Sequence, residues 1–219
     1  MKRVVAAAAL MLASAAPAAT VLKAVPAALD PASGYILVRL GERAPDAWNF
    51  LRIAAYDPTL EDVRGKGRAK ANPVAKDRSV IVFTKPFLTE EAHVRTYLVV
   101  LTPGHYVIQG GPTTCFCLGS YQFDVAAGRV TDMGLIYIGP EDGTSPWAPL
   151  KSLHSTLDIE ARGYTVAEAM AVLPWRATMS VPAALAGFAR EPARYSVATR
   201  FGNHDGQLIN RALPIEAAR

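Results

Sequence analysis

Residues 97–108 read Tyr97-Leu98-Val99-Val100-Leu101-Thr102-Pro103-Gly104-His105-Tyr106-Val107-Ile108. Two short apolar runs rich in β-branched and aromatic residues flank a Thr-Pro-Gly turn. Proline presets one turn angle and glycine supplies the other, so the stretch reads as strand, turn, strand. The same texture extends on both sides. Upstream lie Tyr35 to Leu40, Trp48 to Tyr56 and Val80 to Phe83. Downstream lie Ser120 to Val125 and Leu135 to Ile138. Gly110-Gly111-Pro112, Ala127-Gly128 and Glu141-Asp142-Gly143 punctuate these runs. No window of about 12 residues keeps a helical period without a breaker. Short strands at this spacing predict a mainly β fold, an antiparallel β-sandwich over 34–140.

The flanks read differently. Lys2 and Arg3 precede an uncharged apolar stretch, Val4 to Ala16, and Ala16-Pro17-Ala18 supplies an A-x-A cleavage pattern. Residues 1–18 are thus expected to be a signal peptide, with the mature chain beginning at Ala19. The apolar run of about 13 residues is short of the roughly 20 that span a bilayer. No later stretch is long and apolar enough, so no transmembrane segment is expected in the mature chain. The short, Ala-rich style is that of bacterial export, to the periplasm or outside. Residues 19–33 form an Ala- and Pro-rich lead-in.

Residues 141–219 predict an irregular segment packing on the sandwich. Thr165 to Glu168 match a capping box that would start a short helix over Ala167 to Leu173, ended by Pro174. Ser180-Val181-Pro182 would start a second one through Phe188. Tyr195 to Phe201 and Gln207 to Leu213 alternate around Gly202-Asn203-His204-Asp205-Gly206, which predicts a closing hairpin.

The net charge of +4 includes Lys2 and Arg3, so removing those two leaves +2. About 200 residues suit one domain, with enough core to fold without staples. Nothing in this balance asks for nucleic acid. Arg64, Lys66, Arg68, Lys70, Lys76 and Arg78 make 64–78 a basic loop around Asp77. It could contact anionic surfaces, or act as a solvated or Lys-guarded edge, the reading favoured here.

The strings Leu101-Thr102-Pro103-Gly104-His105-Tyr106-Val107, Phe123-Asp124-Val125-Ala126-Ala127-Gly128 and Met133-Gly134-Leu135-Ile136 together resemble closing strands of prealbumin-like and carboxypeptidase-regulatory-like β-sandwich modules. They are also similar to uncharacterised exported bacterial proteins. The resemblance spans residues 101–138. It implies a sandwich, no enzymatic activity and no catalytic residues.

Cys115 and Cys117 are the two cysteines, one residue apart. In an extended strand both thiols share a face but stand too far apart for a relaxed bond, so a disulfide needs a bend. Three readings stay open: buried free thiols, a local disulfide, and a Cu(I) site. A metal would want a third ligand, and His105 reaches the thiols' face only in one hairpin register.

The other candidates read as ordinary structure. His204 beside Asp205 reads as a turn, and Asp57, Glu61 and Asp62 as a loop. Trp48, Trp147 and Trp175 read as core. There is no G-x-S-x-G, H-E-x-x-H, P-loop or G-x-G-x-x-G. No catalytic residue, cofactor or metal site is therefore expected. The leading reading is a non-enzymatic binding or structural module of the bacterial envelope, its partner an unknown envelope component or protein. The alternatives are a periplasmic thiol or copper-handling protein using the Cys-x-Cys pair, and a hydrolase with its site between sandwich and tail.

Overall fold

The computed structural model describes residues 19–41, 51–63, 81–82, 86–91, 94–111, 114–140, 168–202, 208–212 and 215. The expected signal peptide, the basic segment 64–78, Trp48, Trp147, His204 and Asp205 lie outside these residues.

The described chain is mainly β. Its strands are β1 (Thr20–Val21), β2 (Gly34–Gly41), β3 (Arg52–Asp57), β4 (Asp62–Val63), β5 (Ile81–Val82), β6 (Thr89–Glu91), β7 (Val94–Leu101) and β8 (Gly104–Gly110). There follow β9 (Thr114–Cys115), β10 (Ser120–Val125), β11 (Val130–Pro140), β12 (Glu168–Leu173), β13 (Arg190–Pro192), β14 (Ser196–Ala198) and β15 (Leu208–Ile209).

They form two sheets. The first runs β1-β7-β2-β11-β12, with β6 also on β7 and β13 also on β11. The second runs β14-β10-β8-β3-β4, with β5 on β3 and the pair β9-β15 reached through β8. The Thr102-Pro103 turn carries the chain from one sheet to the other, because β7 pairs with β2 while β8 pairs with β3 and β10. A second crossing follows β10 at Gly128, whose φ of 70° suits glycine.

The alternating pattern sets the core. Ile36, Val38 and Leu40 of β2, Tyr97, Val99 and Leu101 of β7, and Ile136 of β11 face Ile53, Tyr106, Ile108 and Phe123 of the second sheet. Each such side chain contributes roughly 1.5–3 kcal/mol on burial. The opposite face of the first sheet is covered as well. Tyr35, Leu37, Leu98 and Val130 pack with Leu185 and with Leu22, Val25 and Phe188. Double-sided burial explains why β2, Arg39 apart, is apolar on both faces rather than alternating.

Four expectations are corrected. The helix expected over Ala167 to Leu173 is, over its described residues Glu168–Leu173, the strand β12, antiparallel to β11 over six residue pairs. Met170 and Val172 alternate into the core, so tertiary pairing outweighs the local capping signal. The helix over Ser180 to Phe188 reduces to one 3-10 turn, Ala183–Leu185, closed by short-range bonds such as Leu185 N–H to the Pro182 carbonyl at 2.8 Å. The two closing strands do not form a hairpin with each other: β14 pairs with β10 and β15 with β9. Finally, the sheets are mixed, since β11 runs parallel to β2 and β13, and β15 to β9. The crossing at Gly128 delivers β11 from the opposite sheet, so it need not reverse direction beside β2.

Among the described residues, no helix is long and apolar enough to cross a membrane.

Candidate functional site

The Cys-x-Cys segment is a backbone junction. Its strand ends at Cys115, and the chain turns through Cys117 to Gly119. That turn is the bend the disulfide needs, and it comes after the first cysteine. The Cα atoms of Cys115 and Cys117 lie 5.2 Å apart and the two sulfurs are bonded. Both cysteines are buried with Val107, Ala198 and Phe201 on the outer face of the second sheet. Phe116 between them points the other way, into the core shared by the sheets.

Two C-terminal segments lace onto this junction. Phe201 N–H donates to the Cys117 carbonyl at 3.0 Å. Leu118 N–H donates to Asn210, Asn210 N–H to Cys115, and Ala212 N–H to Gly119, at 3.0, 2.8 and 2.9 Å. The lacing leaves two hollows. One, about 560 Å³, lies along β14 and β10 between Leu118 to Tyr121, Tyr195 to Arg200, and Arg211, Ala212 and Ile215. Its size is that of small-molecule sites. Its wall carries Val197, which is 68% exposed. The other, about 430 Å³, is bordered by Glu61, Asp62, Cys117, Arg200 and Phe201.

Arg211 is held in place on the first hollow. Its Nε donates to the Leu118 carbonyl at 3.1 Å. Its stem lies across Gly119, whose φ is 149° and where a Cβ would come within 3.3 Å of Arg211 Cγ and Nε. On the second hollow, Glu61 takes a positive φ of 50° in the β3–β4 turn, which Asp57 caps through Thr59 and Leu60 N–H. Glu61 accepts the Thr199 hydroxyl at 3.4 Å, and Asp62 accepts Gly202 N–H at 3.4 Å.

The structure separates His105 from the cysteines. Gly110 is the residue of β8 that faces Cys115, five positions from His105, or about 17 Å along a strand. His105 is exposed and bonds to Asp124 across the β8–β10 pair. Among the described residues, no group of three or more His, Cys, Asp or Glu side chains could hold a metal ion.

Tyr195 joins the hollow to the core. Its hydroxyl donates to the Met133 carbonyl at 2.6 Å, and its ring meets Tyr121 and Phe123 edge-on at 5.9 and 6.0 Å. Burial, and after it the charge of Asp132, raises this phenol well above its ordinary value near 10. Burial also raises Tyr56, with Glu61, Asp62 and Asp57 adding to it. Each phenol therefore keeps its proton in the folded chain after the unfolded chain has lost it. The stability involved is complete below about pH 10. It falls above that, by up to about 1.4 kcal/mol per pH unit for each tyrosine. Urea melts of Tyr195→Phe between about pH 9 and 11 should show a shallower loss than the parent. An identical slope would place the alkali sensitivity elsewhere.

Sequence reading singled out the cysteines but not Tyr195, Val197, Arg200 or Arg211. The alternation of Tyr195 to Phe201 was the available signal. Compared with known proteins, the chain finds no matching family model, no matching curated protein and no matching solved structure.

Proposed function

We propose that the chain is an exported bacterial envelope protein, a β-sandwich over about 34–140 with its C-terminal segment packed on it, and that it works as a non-enzymatic binding module. The observation that carries this reading is the hollow of about 560 Å³ along β14, with an exposed apolar wall and an arginine held at its rim. Such a site holds a ligand by shape and charge, and needs no reacting group. Export rests on the pattern at residues 1–18, and the sandwich on the core that both sheets share.

The test is native and denatured mass of the protein recovered from a bacterial periplasm. The expected result is a chain starting at Ala19 that carries a small molecule, and a Val197→Asp variant that does not. Hydrolysis of an envelope polymer, abolished by a single side-chain change, would overturn the reading.

A thiol or copper role has one observation in its favour: Cys117 borders the second hollow. Cu(I) bound by the reduced protein and lost in Cys117→Ser would bring that reading forward.

A further inference from the structure

We infer that the hollow along β14 takes a fatty carboxylate, with the acyl chain against the apolar wall and the carboxylate on Arg211. The inference rests on the binding reading above and adds the class of ligand.

Charge complementarity carries it. Among the described residues around this hollow, the charged side chains are Arg200 and Arg211, and none is acidic. Arg200 also faces the second hollow, where Glu61 and Asp62 offset it. Arg211 has no such neighbour among the described residues lining either hollow. Its Nε is already engaged by the Leu118 carbonyl. That bond engages Nε, and the two terminal nitrogens are the atoms that a carboxylate would meet. A guanidinium fork matches a carboxylate in a bidentate geometry. Glycine at 119 matters here, because a side chain would meet the Arg211 stem and would be strained at φ 149°.

Apart from the hydroxyls of Ser120, Tyr121, Tyr195, Ser196 and Thr199, the side chains lining the rest of the hollow are apolar. Tyr121, Val197, Ala212 and Ile215 offer no charge, and Val197 stands exposed on a strand whose far edge meets no described strand. An extended aliphatic chain is the occupant that the exposed apolar part of this wall accepts. A single-tailed anion satisfies both ends of the site.

The test is titration calorimetry of the full mature chain with dodecanoate, dodecanol and dodecyltrimethylammonium, below their aggregation limits. Dodecanoate should bind about tenfold more tightly than the alcohol, and the cation more weakly still. Arg211→Gln should remove that tenfold margin and leave dodecanol unchanged. Gly119→Ala, which alters no charge, should weaken dodecanoate by displacing Arg211. Val197→Asp should weaken dodecanoate and dodecanol. Thermal melts of each variant separate lost binding from lost folding. Equal binding of the three probes, or an Arg211→Gln variant that keeps the preference, would overturn the carboxylate assignment and leave the binding reading standing. No binding of any probe, or binding of dodecanoate and dodecanol indifferent to Val197→Asp, would overturn both.

Discussion

Asp132→Ala is expected to lower the unfolding free energy by about 3–5 kcal/mol. Asp132 sits on β11 at 1% exposure, where a charge is tolerated only if it is paired. Its Oδ1 lies 2.7 Å from Arg39 Nη1 and its Oδ2 3.3 Å from Nη2, a two-pronged pair. Oδ1 also accepts Gly134 N–H at 3.0 Å, and Arg190 Nε approaches Oδ2 at 3.5 Å. Gly134 has φ 76° and marks the bulge where the β2–β11 register shifts, between Asp132 and Leu135. The carboxylate therefore pins a bulge, a buried arginine and the β13 end of the sheet together. Removing it leaves the Arg39 guanidinium buried on the carbonyls of Ser180 and Gly134, with no counter-charge at contact distance among the described residues. Most of the expected loss is that stranded charge and not the worth of the pair itself. The double variant Arg39→Met, Asp132→Leu should therefore cost clearly less than Asp132→Ala alone. Urea unfolding at neutral pH reads both. A cost under about 1 kcal/mol for Asp132→Ala would mean that water reaches Arg39 and that the pair is not structural.

The strands were legible because their chemistry is local. Tyr35 to Leu40, Tyr97 to Leu101 and Ser120 to Val125 each carry enough β-branched or aromatic residues, bounded by Gly and Pro, to announce themselves. What pairs with what was not legible. The Thr102-Pro103-Gly104 turn looks like the tip of a hairpin, yet it joins strands of different sheets. Nothing within a few residues encodes that choice, since it is made by which faces the two sheets bury. Glu168 to Leu173 misled for the same reason: capping residues act locally, whereas six pairs to β11 act across about 30 positions. The Arg39–Asp132 pair did leave a trace. Each residue interrupts an apolar run, Arg39 in ILVRL and Asp132 in RVTDMGLIY, and a charge inside a buried strand asks for a partner. The arginine at the rim of the hollow left none, because Arg211 meets Leu118 and Gly119 through contacts across about 90 positions of sequence.

Phe116→Ala is expected to cost about 3–5 kcal/mol, more than opening the disulfide on either side of it. The Cys-Phe-Cys motif draws the eye to its sulfurs, but the ring is the part fully buried between the sheets. Truncating it opens a cavity among side chains held by two separate ladders, which can collapse only by moving a sheet. The bridge joins residues two apart in sequence, so it closes a very short loop. Chain-entropy reasoning gives about 1.5 kcal/mol for such a loop. Once reduced, the thiols stay where they are, as small apolar groups against Val107, Ala198 and Phe201. Reduced protein should thus remain folded at 25 °C, while Phe116→Ala should melt well below the parent. Calorimetry of the parent, the reduced parent and Phe116→Ala decides this in one series. If reduction unfolded the chain and Phe116→Ala were mild, the bridge and not the ring would hold the junction. The same series bears on function, because a thiol or copper role needs a reduced form that is folded. A folded, reduced chain that takes up Cu(I) would place chemistry at Cys117. A folded, reduced chain that ignores it would make the pair a local staple beneath the hollow.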